Sequence, residues 1–236
     1  MIVSTALCPS PPLLVRDLSG ADPAAVELRQ ACATAVAMLI ATAPDMIAVV
    51  GSADRTQTWP ADAELDISAY GGPPRPRVGR PAPLAVGLGA LLLDEGGYTG
   101  PRLLQSVGHD EPLSACVELA AEVSASAARV GLLVMADGTA RRTLKAPGYL
   151  DERAVPFDAE IQRAVSTGDL TALHGLDQTL ARELMVTGWS ALQVLAGTFC
   201  DREPDTKVLY ADASFGVGYL VAVVMAAKED PTEPGR

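Results

Sequence analysis

Residues 2–12, IVSTALCPSPP, residues 23–43, PAAVELRQACATAVAMLIATA, and residues 46–54, MIAVVGSAD, decide the fold between them. The first is a short, mostly apolar run, Ile2 to Leu7, stopped by Pro9, Pro11 and Pro12, as expected of a central strand whose loop opens at its carboxyl end. In the second, Ala25, Leu28, Ala31, Ala35, Met38 and Leu39 recur at helical spacing, with Pro23 at the start and Pro44 at the stop. The third, Met46 to Val50, is another apolar run, closed by Gly51, Ser52 and Asp54. Strand, helix and strand in that order form a parallel unit, because the return to a parallel neighbour needs a crossover of this length.

The alternation continues downstream. Residues 55–82 are rich in proline and glycine, lack helical periodicity and are expected to form a long surface loop over the strand ends. Pro83 to Glu95 is expected to be a helix, Arg102 to Val107 a strand, Glu111 to Ala128 a helix and Val130 to Met135 a strand. After a polar stretch from Ala136 to Arg153, helical patterns cover Phe157 to Val165, Gly168 to Leu173, Asp177 to Thr187 and Leu192 to Phe199. Thr206 to Tyr210 and Gly218 to Met225 are two closing strands, expected to lie at an edge or across an interface between copies. The architecture implied is a single three-layer α/β/α domain over residues 1–227, with a mixed, mostly parallel central sheet, and a flexible tail at 228–236.

Composition narrows the function. The 236 residues are 49% hydrophobic and 20% charged, which excludes a disordered chain, and a chain of this length buries roughly 70% of its unfolded surface. Lys and Arg number 18 against 29 Asp and Glu, so this acidic protein, at a net charge of −11, repels nucleic-acid backbones and anionic membranes. No basic leader precedes the first apolar run, and Gly218 to Ala227 is too short to span a bilayer, so a cytoplasmic protein is expected. Cys8, Cys32, Cys116 and Cys200 stand singly, without metal or redox spacing, and are expected to be buried thiols. Only two histidines are present, His109 and His174, which leaves few tools for proton transfer or metal binding.

In open α/β sheets ligands occupy the crevice outside the carboxyl ends of the strands. The loops there supply Ser10, Ser52, Asp54, Asp137, Arg141 and Arg142 as candidate ligand-binding residues, with His109 and Asp110 nearby. Neither a glycine-rich dinucleotide fingerprint, nor a Walker A sequence, nor a Gly-x-Ser-x-Gly elbow occurs. His109 beside Asp110 and Glu111 matches a solvated helix start better than a metal site, since adjacent side chains point apart, and His174 matches a helix end.

Several segments in order resemble the LigB-like superfamily, the class III extradiol ring-cleavage dioxygenase fold. They are Ala6-Leu7-Cys8-Pro9-Ser10-Pro11-Pro12-Leu13-Leu14, the strand Ile47 to Gly51, Ala136-Asp137-Gly138-Thr139-Ala140-Arg141-Arg142 and Pro147-Gly148-Tyr149-Leu150-Asp151-Glu152-Arg153. Phe157-Asp158, Gly168-Asp169-Leu170 and Leu176-Asp177 follow. The resemblance implies a phosphorylase/hydrolase-like α/β fold. It also implies a non-haem Fe(II) held by two histidines and a glutamate, with a third histidine as acid and base. Here Ser10 stands at the first ligand position, Ser52 to Asp54 contain no histidine for the second, and Ala140 stands at the acid/base position. The expectation is therefore a pseudoenzyme without cofactor that binds a small polar ligand or a protein partner. The alternatives are a dioxygenase acting on a catechol-like aromatic, whose Fe(II) would need His109 and His174 to converge, and a metal-independent hydrolase or transferase with Ser10 as nucleophile. Such folds also associate, so a homo-oligomer is a possible state.

Overall fold

A computed structural model describes residues 1–73, 81–199 and 204–226; Cys200 and the tail at 228–236 lie outside the described residues. The sheet has seven strands: β1 (Ile2–Cys8), β2 (Met46–Ala53), β3 (Gln57–Trp59), β4 (Arg102–Gly108), β5 (Val130–Met135), β6 (Asp205–Asp212) and β7 (Tyr219–Met225), in the order β3-β4-β2-β5-β1-β7-β6. The four central strands are parallel, in register at Val49↔Leu104, Val49↔Leu133 and Ala6↔Leu133. β3, β7 and β6 join antiparallel to β4, β1 and β7.

Helices cover both faces, which is why the central strands are apolar at odd and even positions alike. Ala48, Val50, Leu132 and Val134 pack under α4 (Leu113–Ala125), α5 (Ala154–Thr167) and α7 (Trp189–Gly197), chiefly on Leu119, Phe157, Ile161, Leu192 and Leu195. Ile47, Val49, Leu133 and Met135 pack on the opposite face under α2 (Pro23–Ala41) and α3 (Leu84–Glu95), among Leu28, Cys32, Leu39, Leu88 and Leu93. Short α1 (Arg16–Ser19) and α6 (Gln178–Glu183) complete the helices named here. The three-layer α/β/α arrangement expected from the sequence is the one observed.

Helix ends follow local chemistry. Asp22 caps α2 by accepting from Ala24 N at 3.0 Å and Ala25 N at 3.2 Å. By length and hydropathy α2 would suffice to cross a bilayer, but here Ala25, Leu28, Cys32, Ala35, Val36 and Leu39 are buried within the domain. α3 lies unusually close to the sheet: a Cβ on Gly89 would overlap Val49 Cγ1, and one on Gly51 would sit 2.7 Å from Ala85 Cβ.

Four expectations need correction. Residues 57–59 form an edge strand inside the expected loop, where Thr58 and Trp59 pair with Gln105 and Leu104. The expected Glu111 to Ala128 helix starts only at Leu113, because Pro112 takes the cap position, and ends at Ala125. The expected helical run Asp177 to Thr187 shrinks to Gln178–Glu183, since Met185 turns the chain at φ 57°. Finally, β7 is not an edge strand. It lies between β1 and β6, with Ala6↔Val223 and Val208↔Ala222 in register, because Val221, Ala222, Val223 and Val224 are apolar toward both covered faces.

Candidate functional site

Parallel strands β1, β2, β4 and β5 end on one side of the sheet, and the chain leaving them builds a cavity of about 500 Å³. Four of the six candidates line it: Ser10, Ser52, Asp54 and Asp137, joined by His109. Its inner point is a contact between two strand ends. Ala136 N donates to Cys8 O at 2.8 Å, and just beyond that bond Ser10 N donates to Asp137 Oδ1 and Ser10 Oγ to Asp137 Oδ2, both at 2.9 Å. Burial raises the Asp137 carboxyl above the ordinary carboxylate range, while hydrogen bonds from Ser10 and Thr187 pull the other way.

Ser52 is spoken for as well. Its hydroxyl accepts from Ala191 N at 3.2 Å and shares a 2.9 Å bond with Ser190 Oγ, so it satisfies one of the orphan amides at the start of α7. Asp54 and His109 are exposed on the rim, and His109 N is held by Ala53 O at 2.8 Å. Aromatic residues form part of the wall: Trp59 is buried and donates Nε1 to Ser106 Oγ at 2.9 Å, while Tyr70 stays exposed. Pro81, Pro83 and Leu84 add apolar surface.

The two arginines go elsewhere. Directly after Asp137 the chain is drawn toward β7, where Gly138 N donates to Gly218 O and Gly218 N to Thr139 O, each at 2.8 Å. This carries Arg142 to the α5 side, where Arg142 Nη1 meets Asp158 Oδ2 at 2.7 Å. Arg142 lines a second cavity there, and Asp137 forms a wall of both. Arg141 lines neither; its buried Nε has no hydrogen-bond partner among the described residues, and its stem lies beside Gly148.

His174 is also remote from the crevice lining. Its Nδ1 lies 3.0 Å from Oε1 of buried Gln193, which in turn donates to Leu173 O at 2.9 Å. The two histidines therefore have different surroundings, and among the described residues no group of three or more His, Cys, Asp or Glu is placed to hold a metal ion. The donors present do not fit two imidazoles and a carboxylate: Ser52 is committed to α7, Asp137 to Ser10, and one imidazole lines the cavity. A Ser-His-Asp relay is not assembled at Ser10 either, because its hydroxyl donates straight to the carboxylate.

Trp59 and Tyr70 stand in the stretch expected to lie over the strand ends and Asp158 in a segment that carries the resemblance, but residue patterns assigned a site role to none of them, nor to Thr187. Thr187 next to Gly188 ahead of an apolar helix was the one available signal, being a helix-entry pair; the others reach their places through tertiary contacts alone.

No protein-family model and no curated protein matches the sequence. Among solved structures, the chain is similar to a crystal structure of the uncharacterized protein JW3007 from Escherichia coli K12, with a TM-score of 0.54 over 94% of this chain and 99% of that one, at 11% identity. A likeness at that identity establishes the α/β fold and stops there.

Proposed function

We propose that the chain is a LigB-like protein without the non-haem iron site, and that it binds a small polar molecule in the crevice at the strand ends. The observation that carries this reading is the Ser10–Asp137 pair at the inner point of the cavity: both carboxylate oxygens are engaged by Ser10. A carboxylate so occupied serves as a fixed polar wall better than as a metal ligand. Ser10, Asp54, Arg55 and His109 supply hydrogen-bonding groups, and Trp59 and Tyr70 supply flat apolar surface, a mixture suited to a hydroxylated ring or another compact polar molecule. Three free buried thiols, Cys8, Cys32 and Cys116, suit a reducing compartment such as the cytoplasm.

The test has two arms. Anaerobic titration with Fe(II) followed by catechol and oxygen should give no stoichiometric iron and no ring-opened product; both appearing together would overturn the loss of the iron site. In ligand-observed NMR with a library of hydroxylated rings, binding should weaken in Ser10→Ala and Asp54→Ala; hits indifferent to both substitutions would move the site away from this crevice.

One contact favours a second reading, a metal-independent hydrolase or transferase. Ser10 Oγ donates at 2.9 Å to a carboxylate whose proton affinity is raised by burial, which is the relation of a nucleophile to its base. Turnover of p-nitrophenyl esters or phosphate, abolished in Ser10→Ala, would favour it; turnover unaffected by that change excludes Ser10 as nucleophile.

A further inference from the structure

Behind Asp137, on the α5 side of the sheet, lies the second cavity, also about 500 Å³ and within the usual range for small-molecule sites. Its inner end is apolar: Leu7, Ile161 and Leu192 are each at most 5% exposed. The rest of its lining mixes apolar residues such as Ala136, Val155 and Leu220 with polar ones, and carries one charge of each sign that is not fully used within the protein. Among the described residues Arg142 spends Nη1 on Asp158 and makes no other side-chain hydrogen bond, so most of its five N–H donors remain for a ligand. Asp212 stands exposed at the end of β6, with Oδ2 anchored by Ser214 Oγ, Ser214 N and Tyr210 OH. These bonds keep it ionised, its carboxyl lying below the ordinary range chiefly through Ser214. The other two carboxylates of the lining are committed, Asp158 to Thr139 and Arg142, and Asp137 to Ser10.

One guanidinium, one carboxylate and an apolar floor in a single cavity are complementary to a molecule with one anionic end, one cationic end and a hydrocarbon body. We propose that this second cavity binds an apolar α-amino acid, with the carboxylate on Arg142, the ammonium on Asp212 and the side chain against Leu7, Ile161 and Leu192. The site is separate from the crevice on the other side of Asp137, and the inference stands whether or not that crevice takes a ligand.

Isothermal titration of the whole chain with L-leucine tests it, alongside two probes that each lack one end, 4-methylpentanoate and 3-methylbutan-1-amine. Saturable binding of L-leucine is expected, with both half-molecules at least tenfold weaker, because each forfeits a charge-assisted hydrogen bond. Asp212→Asn and Arg142→Gln should each weaken L-leucine about tenfold or more, whereas Asp54→Ala, on the rim of the other cavity, should not. Either half-molecule binding as tightly as leucine would overturn the zwitterion assignment, and no saturable heat with L-leucine or L-phenylalanine would overturn the site. Should Arg142→Gln fail to fold without its Asp158 bond, Asp212→Asn and the three probes decide the matter alone.

Discussion

Asp158→Ala removes the clamp that holds the segment between the two cavities. The carboxylate, 12% exposed, accepts from Thr139 N at 2.8 Å, Thr139 Oγ1 at 2.8 Å and Arg142 Nη1 at 2.7 Å. It is wedged so closely that a Cβ on Gly138 would stand 2.5 Å from its Oδ1. Thr139 is fully buried, so its amide has no water to turn to once the carboxylate is gone, at a cost of about 1–3 kcal/mol. The Thr139 hydroxyl can rotate to another acceptor and contributes less. Arg142, with 25% of its side chain exposed, recovers part of its loss by hydration, leaving about 1 kcal/mol. The expected sum is about 3 kcal/mol. Urea denaturation should show it as a lower midpoint at unchanged slope, and heating as a fall of about 10 °C for a chain of this size. A double-mutant cycle with Thr139→Val should return a coupling above about 0.5 kcal/mol, as for residues in one network. A loss under about 1 kcal/mol with no coupling would refute the reasoning, because water would then be replacing the carboxylate and the loop would be held by something else.

Gly89→Ala sets two effects against each other: about 1 kcal/mol of helix propensity gained against about 1–3 kcal/mol of overpacking where the new methyl meets Val49. Overpacking should win, with a net loss of up to about 2 kcal/mol by urea denaturation. Asp22→Ala should cost about 1 kcal/mol by removing the cap on Ala24 N and Ala25 N, and Asp22→Ser should restore most of it. Asp151 is held at about 2, below its ordinary value of 3.8, first of all by its hydrogen bond to Arg153. Its folded value is the lower one, so any stability it lends is present above about pH 4 and lost as pH falls through about 2. NMR titration should find the depressed value in the parent chain and a return toward 3.8 in Arg153→Ala.

The layered fold was legible because burial on both faces leaves a mark that needs no neighbour to interpret. Val130 to Met135 is apolar at every position except Gly131, and no half-exposed strand is written that way. Proline and glycine likewise punctuated the strand ends that became the crevice, bringing Ser10, Ser52, Asp54 and Asp137 to one cavity. Turn geometry was less legible. The break at Met185 rests on a left-handed backbone that neither β-branching nor glycine announces, and β3 is three residues long, too short for alternation to register.

By itself, then, the sequence determined the central strands and the main helices, that both sheet faces are covered, and that two histidines cannot furnish three imidazoles, because periodicity and residue inventory are properties of the chain alone. Only the tertiary structure decided that Asp137 walls both cavities while Arg142, five positions on, lines the second and is withdrawn from the crevice. That separation comes from Gly138 and Thr139 pairing with Gly218, and from Asp158 on a later helix taking hold of Arg142. Backbone hydrogen bonding between segments distant in sequence is specified by the whole fold, and no local pattern carries it.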